Sequence, residues 1–395
     1  MVLNDSRPAR KGAEPHPAAS RLSAIPGGLT EAASQIRVAR AARPLTSRWQ
    51  RVPVQPRGDA RIGISFRPLQ AETLGLDPMT TLAALLGYPF QLIRLGAYWS
   101  RIEDGPGRFD TGELDRQVDA AEQAGKQIIL CVGPVKAFGY PEFFVPSHHL
   151  PEPLREGVLV QPPAHRRLLE AGTAFAARIV ERYRDRKAIV AWQVEHDAVD
   201  PLGMEHSWRL SAAFVRREVE TVRAADPGRP VMMNGFLPTS APVRIQQWWR
   251  TRDQGDSLAV AQQLADIVGV DFYPRHALAA RGGRTVYLVG SIRALRWRRG
   301  LLRWAAASGR RLIIDEGQAE PWEAVTAPPS PQGRAMYSCL PEHVIENYSQ
   351  CMRWSQQGPC ALDAYLFWGA EYWMLRERQG DPRYLRAFAR VLERA

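Results

Sequence analysis

The sequence predicts an α/β protein folded as a (β/α)8 barrel, because eight short apolar runs alternate with polar or amphipathic stretches of helical length. Each run is apolar almost throughout, which is typical of parallel strands buried on both faces. No GxGxxG motif or P-loop follows the first run, and this argues against an open doubly wound sheet. The runs are residues 62–66, 91–96, 127–132, 189–194, 230–235, 267–272, 311–315 and 362–368.

The domain organisation predicted is a flexible extension over residues 1–58 and one barrel over residues 59–395. A chain of 395 residues with 45% hydrophobic content is long enough for one barrel of about 250 residues or more. The first 58 residues are rich in Arg, Pro, Ala and Ser and have little hydrophobic periodicity. A segment of this composition buries too little apolar surface to offset its ordering entropy, so we expect most of it to be disordered.

The basic charge is concentrated in that extension. Residues 1–58 hold ten basic and three acidic residues and so carry +7 of the formal net charge of +11. The barrel therefore carries an ordinary charge, and no nucleic-acid partner is expected for it. One hypothesis, which rests on this segment alone, is that the extension binds nucleic acid or an anionic surface.

The cysteines and the apolar stretches predict the setting of the protein. The four cysteines have no CxxC spacing and no paired histidines nearby, so we expect free thiols, no metal site and no cofactor. No run approaches the roughly 20 apolar residues that span a bilayer, and the N-terminus lacks the apolar core of a secretory signal. A cytoplasmic protein is predicted, and the sequence does not indicate its oligomeric state.

Candidate site residues follow the predicted strands, because catalytic groups of a barrel project from the carboxyl ends of its strands. Carboxylates after strands four and seven would face each other across the mouth, as a sugar ring between two catalytic carboxylates requires. Aromatic residues at the same rim would offer flat apolar faces to sugar rings. The candidates are Arg94, Trp99, Lys136, Glu195, His196, Asp197, Asn234, Asp271, Tyr273, Asp315, Glu316, Trp368 and Glu371.

Four segments in the correct order resemble clan A glycoside hydrolases, the cellulase and β-galactosidase group. The resemblance covers roughly residues 60–392. Each motif alone is moderate evidence, and the four together are strong evidence. They are residues 94–103 (RLGAYWSRIE, followed by PGRFD at 106–110), 191–197 (AWQVEHD), 313–322 (IIDEGQAEPW) and 367–373 (FWGAEYW).

The resemblance implies a role for individual side chains. Glu316 matches the nucleophile, and Arg94 and Tyr273 match the partners that hold it ionised by keeping its pKa low. Trp368 matches the platform under the reacting sugar, and Asp197 stands at the position of the acid/base. The remaining candidates for substrate binding are Trp99, Lys136, His196, Asn234 and Glu371.

The acid/base motif departs from the family pattern, because His196 and Asp197 stand where the family has Asn and Glu. Asp is one methylene shorter, which would widen a retaining gap of about 5 to 5.5 Å toward the inverting range by roughly 1.5 Å. Three outcomes stay open: a retaining enzyme with an adjusted backbone, an inverting enzyme with a water in the gap, or a barrel that binds glycans without cleaving them. If Asp197 is not the acid, Glu195 and Asp200 are the alternatives.

The sequence thus predicts a glycoside hydrolase that acts on a carbohydrate, by family resemblance at a β-linkage. A catalytically inactive glycan-binding barrel is the alternative. Sugar identity, and exo or endo action, depend on loop shape and are not predicted.

Overall fold

The structure, a computed structural model, describes residues 36–40, 42–139, 142–150, 152–201, 207–281, 284–290, 296–325, 330 and 332–395. Eight parallel strands close into a barrel and follow one another around it in chain order, which confirms the predicted (β/α)8 fold. We number them one to eight. They are Arg61–Ser65, Leu92–Gly96, Gln127–Cys131, Ile189–Gln193, Val231–Phe236, Ile267–Phe272, Arg311–Gln318 and Ala364–Trp368.

Apolar side chains form two layers of core. A small cluster fills the lower half of the barrel interior, with Leu92, Met232 and Ile313 among its members. A much larger cluster lies between the strands and the surrounding helices. Because alternate residues of each strand serve the two layers, the strands are apolar on both faces, as the sequence pattern predicted.

Amphipathic helices cover the barrel, and the last one shows how. Helix Arg383–Arg394 buries Tyr384, Leu385, Phe388 and Val391 on one stripe and exposes basic residues on the other. Within the described ranges, none of the helices is long and apolar enough to cross a membrane. The other helices are Pro68–Thr73, Pro78–Leu86, Trp99–Ile102, Gly112–Gln123, Arg166–Tyr183, Ala212–Ala225, Ala241–Thr251, Ser257–Leu264, Arg296–Ser308, Pro341–Gln356 and Ala370–Arg378.

In the part of the chain that the structure describes, the loops at the mouth of the barrel contain short strands that form three small sheets. Hairpin strands Arg275–Arg281 and Arg284–Val289 follow strand six, and Ile36–Arg40 adds to the second of them as a third antiparallel strand. Strand Ala42–Pro44 pairs with Arg334–Met336 beyond strand seven. A two-stranded parallel sheet joins Leu159–Val160 to Arg209–Leu210.

Residues 36–58 pack more extensively than the sequence predicted. Beyond its two short strands, this segment buries Trp49 and Val52 in the core. Ser349 Oγ of helix Pro341–Gln356 accepts a hydrogen bond from the Gln55 backbone amide and donates one to the Pro53 carbonyl. The predicted flexible extension lies outside the described residues over 1–35 and at position 41. Over residues 36–40 and 42–58 the expectation of disorder does not hold, because a few buried apolar residues and two strand pairings with distant loops order the segment.

Candidate active site

A β-bulge at the end of strand seven turns two consecutive carboxylates into the barrel. Strand six pairs Val270 with Ile314 and Asp271 with Glu316, so Asp315 is an extra residue on strand seven. Bulges of this kind re-aim side chains. Both carboxylates consequently reach the same atom, with Arg94 Nη1 lying 3.2 Å from Asp315 Oδ2 and 2.8 Å from Glu316 Oε1.

Glu316 is held from both sides. Arg94 Nη1 donates a hydrogen bond of 2.8 Å to its Oε1, and the Tyr273 hydroxyl donates one of 2.8 Å to its Oε2. Arg94 is itself fixed by a hydrogen bond of 2.7 Å from its Nε to Gln193 Oε1. The structure thus brings together the three residues for which the sequence motifs implied a nucleophile and its partners.

The surroundings of Glu316 raise its pKa, whereas the sequence motifs implied a low pKa. Burial raises the pKa of Glu316 to about 8, with Arg94 opposing the shift and the charges of Asp315 and Asp197 adding to it. Burial likewise raises the pKa of Asp315 to about 6 and that of Asp271 well above its usual value. One buried guanidinium therefore faces several carboxyl groups that cannot all be ionised together.

The end of strand four has a strained backbone. Among the described residues other than glycine, only Glu195 and Asp197 have positive φ angles, of 57° and 43°. A left-handed conformation costs roughly 1 to 2 kcal/mol for such a residue. Because the two left-handed residues flank His196, they set the directions of the Glu195 and Asp197 carboxylates independently of the strand's alternation.

Lys136 holds this strained segment in place. Its Nζ donates to the backbone carbonyls of Asp197, at 2.6 Å, and Asp200, at 3.0 Å, while its own carbonyl accepts from the His196 amide. The Lys136 side chain is buried, and its ammonium group donates to these two backbone carbonyls. Lys136 was predicted to bind substrate, but these contacts make it a brace for the loop after strand four.

Glu195 turns away from the mouth. Its carboxylate accepts hydrogen bonds from the backbone amides of Val135, at 3.0 Å, and Lys136, at 2.5 Å. On its other side it neighbours Glu218, and burial raises the pKa of both groups. Asp200 is similarly engaged, since it accepts from the Ser257 amide and Gln247 Nε2. Neither of the alternative acids, Glu195 and Asp200, therefore has a described contact with Glu316.

His196 and Asn234 form a network with the floor of the site. Arg94 Nη2, at 3.2 Å, and Asn234 Nδ2, at 2.9 Å, both point at His196 Nδ1. Because both groups are donors, Nδ1 must be the acceptor, and burial lowers the pKa of His196 so that the ring is neutral. Asn234 Nδ2 also donates to both carboxylate oxygens of Asp271, at 3.0 Å each.

Asp197 lies beside this network, at the strand-five and strand-six side of the mouth. Its backbone amide approaches Asn234 Oδ1 at 3.4 Å, and its carboxyl group neighbours that of Asp271. Burial raises the pKa of Asp197, with Lys136 opposing the shift. A raised pKa is what a general acid requires.

Two predicted substrate residues are engaged elsewhere. Trp99 is fully buried, stacks on Phe175 at 5.5 Å and donates from Nε1 to Glu103 Oε2. Glu371 is also buried, and both of its oxygens accept from Arg67, one from the backbone amide and one from the side chain. Neither Trp99 nor Glu371 is open to a sugar in this structure.

Aromatic side chains cover the mouth. The Phe138 ring lies over the Arg94 guanidinium at 4.0 Å and meets Trp368 edge-on at 6.2 Å. The other face contact of Trp368 is with Arg67, whose guanidinium lies 4.2 Å from the ring centroid. As a result Glu316 is only 3% exposed, and Trp368, the predicted sugar platform, is itself largely covered.

Some functional residues were not selected from the sequence. Arg67 forms a buried double ion pair with Glu320 and Glu371, yet nothing in the sequence around it resembles the family motifs. Gln193 and Phe138 likewise became evident only from contacts with Arg94. The sequence weakly indicated Gln193, because it is a polar residue at the end of an otherwise apolar strand.

Solved structures similar to this chain include sugar-cleaving enzymes. A β-galactosidase from Rahnella sp. R3 matches with 12% identity and a TM-score of 0.51, over 87% of this chain and 57% of that chain. A β-galactosidase from the psychrophilic Marinomonas ef1 matches with 14% identity and a TM-score of 0.48, over 84% of this chain and 59% of that one. The Thermobacillus composti GH10 xylanase matches with 16% identity and a TM-score of 0.47, over 85% of this chain and 97% of that one.

These comparisons concern the fold. No protein-family model matches the sequence, and no curated protein matches it. The chain spans a little under three fifths of the length of the two β-galactosidases. At such low identity the likeness shows a shared barrel, in agreement with the resemblance that the sequence motifs indicated.

Proposed function

We propose that this chain is a glycoside hydrolase that cleaves a β-linkage of an oligo- or polysaccharide, with Glu316 as nucleophile and Asp197 as acid/base. One observation carries the proposal. A carboxylate at the end of strand seven receives one hydrogen bond from a guanidinium and one from a tyrosine hydroxyl, and a second, half-buried carboxyl group follows strand four. This is the division of roles that two-carboxylate catalysis needs.

In a retaining reaction the two groups act in turn. Asp197 protonates the leaving oxygen while Glu316 attacks the anomeric carbon and forms a glycosyl-enzyme ester. Asp197 then takes a proton from water, which attacks the same carbon and releases Glu316. Arg94 and Tyr273 hold the Glu316 carboxylate in place and favour its charged form over the neutral one.

The stereochemical outcome distinguishes this route from inversion. With the short acid Asp197, a wider gap between the carboxyl groups would admit a water that attacks directly. Proton NMR of the first-formed anomer separates the two routes. A product that keeps the configuration of the substrate supports retention, and the opposite anomer supports inversion.

A catalytically inactive glycan-binding barrel is the second candidate, and two observations favour it. Glu316 is almost fully covered, and its pKa of about 8 leaves it largely protonated at neutral pH. Binding of sugars at the rim, without displacement of Phe138, would need neither an ionised nucleophile nor access to it.

Hydrolysis of a panel of aryl β-glycosides tests the first candidate. We expect turnover by the wild type and a loss of at least about 1,000-fold in Glu316→Gln, which keeps the shape and removes the charge. Azide should restore turnover to Glu316→Gly by replacing the missing nucleophile. Glu342→Gln serves as control, since it also changes a buried carboxyl group but lies in helix Pro341–Gln356.

Two outcomes would decide against the enzyme. If Glu316→Gln turned over substrate like the wild type, Glu316 would not be the nucleophile. If the wild type bound oligosaccharides by calorimetry and cleaved none of the panel, the glycan-binding candidate would replace the hydrolase.

We also infer a reducing compartment such as the cytoplasm. This rests on Cys131, Cys339 and Cys360, which are free thiols, as the sequence predicted.

A further inference from the structure

A second cluster of polar side chains lies between the loop after strand three and the helix after strand two. We call Glu103, His148 and His149 the histidine–glutamate cluster. His148 Nε2 lies 3.0 Å from Glu103 Oε1, and His149 Nε2 lies 2.9 Å from the same oxygen. The three side chains are 20 to 24% exposed, so solvent reaches the cluster from one side.

We propose that the histidine–glutamate cluster binds a divalent transition-metal ion, with Zn²⁺ as the best fit. Two imidazole nitrogens and one carboxylate oxygen form a ligand set that suits zinc and leaves a fourth position for water. Neighbouring ligands of tetrahedral zinc lie roughly 3.3 Å apart for bonds of about 2.0 to 2.1 Å. The two Nε2 atoms need to move only a few tenths of an ångström away from Glu103 Oε1, and one ligand atom of each residue already lies within 4.8 Å of the others.

The carboxylate ligand is already oriented. Trp99 Nε1 donates a hydrogen bond of 2.8 Å to Glu103 Oε2, which leaves Oε1 turned toward both histidines. Trp99 is fully buried and its ring lies 4.8 Å from that of His149, so the same residue positions two of the three ligands. Hydrogen bonds of this kind to the free end of a ligand are typical of metal sites.

The protonation state of the cluster suits a metal. Burial opposes the shift, but hydrogen bonds from Trp99, His148 and His149 together lower the pKa of Glu103. The carboxylate is therefore ionised at neutral pH. Because a metal binds only the unprotonated nitrogen of an imidazole, its affinity should fall as the pH drops.

The residues of the catalytic site offer a comparable set but a poor site. Single ligand atoms of His196, Asp271 and Glu316 also lie within 4.8 Å of one another. There, however, Arg94 donates to His196 Nδ1 and to Glu316 Oε1, and thus already supplies a positive charge at the centre of the group. None of the described contacts of the histidine–glutamate cluster involves a cation of this kind.

A metal ion bound by the histidine–glutamate cluster would link two segments at the mouth of the barrel. Glu103 belongs to the segment after strand two, whereas His148 and His149 belong to the loop that also carries Lys136 and Phe138. One backbone hydrogen bond, from the Ser100 amide to the Phe144 carbonyl, already links these two segments. Coordination by ligands from both segments would therefore stabilise the loop that covers Glu316.

Calorimetry with Zn²⁺ on the tag-free full chain, previously stripped with EDTA, tests the proposal. We expect one ion per chain with a dissociation constant in the micromolar range or below, and a melting temperature that rises on addition of Zn²⁺. Replacing Zn²⁺ by Co²⁺ should give the visible absorption of a tetrahedral site. Affinity should fall at least tenfold between pH 7.5 and pH 5.5.

Variants assign the site. His148→Ala, His149→Ala and Glu103→Gln should each weaken Zn²⁺ binding at least tenfold and abolish the rise in melting temperature. His165→Ala is the matched control, because His165 lies outside the cluster, at the start of helix Arg166–Tyr183, and the variant should bind like the wild type. If His149→Ala fails to fold for lack of the ring that packs on Trp99, His149→Phe keeps the packing and removes the ligand.

Two results would overturn the proposal. If the wild type showed no binding at about 100 μM Zn²⁺, roughly ten times the weakest expected dissociation constant, the cluster would only form hydrogen bonds. Binding that persists unchanged in all three cluster variants would place the ion elsewhere on the chain. Neither result depends on glycosidase activity, so this test stands apart from that of the proposed function.

Discussion

The carboxyl groups at the ends of strands four and seven reach the mouth by different means. At strand seven a bulge inserts one residue, and Glu316 has an ordinary backbone with two short hydrogen bonds. At strand four the backbone is left-handed at Glu195 and at Asp197, and a lysine 61 residues earlier in the chain holds it so. The direction of Glu316 is therefore set by a bulge in its own strand, whereas that of Asp197 depends on a lysine from another loop.

The largest expected effect is on reaction rate, and it distinguishes Asp197, the proposed acid, from the neighbouring Glu195. Asp197→Ala should slow substrates with poor leaving groups about 100-fold or more and activated aryl glycosides far less, because only the former need protonation. Rate constants for a series of leaving groups measure this. Glu195→Gln should show no such dependence, since that carboxylate binds backbone amides. Equal slowing of both substrate types by Asp197→Ala would remove the acid role.

Asp197→Glu sharpens the same comparison. In a retaining site strained by a short acid, the longer side chain should keep or increase activity. In an inverting site it should reduce activity, because the added methylene displaces the nucleophilic water. Steady-state rates on one activated and one unactivated substrate are sufficient to tell these outcomes apart.

Lys136→Met tests whether the strand-four end needs its brace. Loss of the ammonium leaves two buried carbonyls without a donor, and we expect a drop of about 3 kcal/mol in the free energy of unfolding, measured with urea. Lys126→Met is the matched control, because Lys126 Nζ also donates to two carbonyls, those of Tyr88 and Phe90, far from the site. Activity per folded molecule should fall only in Lys136→Met. A similar loss of activity in both variants would contradict the role of Lys136 in holding the strand-four end.

The pH dependence of stability tests the strand-seven end. Burial raises the pKa of Glu316 from 4.5 in the unfolded chain to about 8, so the native state binds the extra proton between these values. Its contribution to stability is therefore present at low pH and lost as the pH rises through about 8. Relative to Glu316→Gln, the wild type should lose at least about 1.4 kcal/mol between pH 5 and pH 8. Parallel curves from urea unfolding would show that the carboxyl group is not shifted.

The smallest effect concerns the backbone. Glycine adopts the left-handed conformation freely, so Asp197→Gly should be more stable than Asp197→Ala by about 1 kcal/mol. At position 316, which has no positive φ, the order should reverse, with Glu316→Ala more stable than Glu316→Gly. Thermal unfolding of the four variants provides the comparison. The same order at both positions would mean that the strand-four end is not strained.

Much of the site followed from the sequence because it depends on local pattern. The runs of apolar residues located all eight strands to within about two residues at most ends. Since strand ends of a barrel converge on its mouth, the sequence placed Arg94, Tyr273 and Glu316 at the same end of the barrel. The family resemblance implied that the three residues meet. The free thiols of Cys131, Cys339 and Cys360 followed from cysteine spacing in the same way.

By itself, then, the sequence determined the barrel and indicated that Glu316, Arg94 and Tyr273 meet at its mouth. Only the tertiary structure decided which carboxylate of strand four faces the mouth, because the directions of Glu195 and Asp197 depend on left-handed φ angles that Lys136 maintains from another loop. It also decided that Trp99 and Glu371 are buried in other contacts. The pKa of Glu316 belongs to the same class, because desolvation depends on how many atoms from distant segments surround a group, and a sequence pattern carries no measure of that.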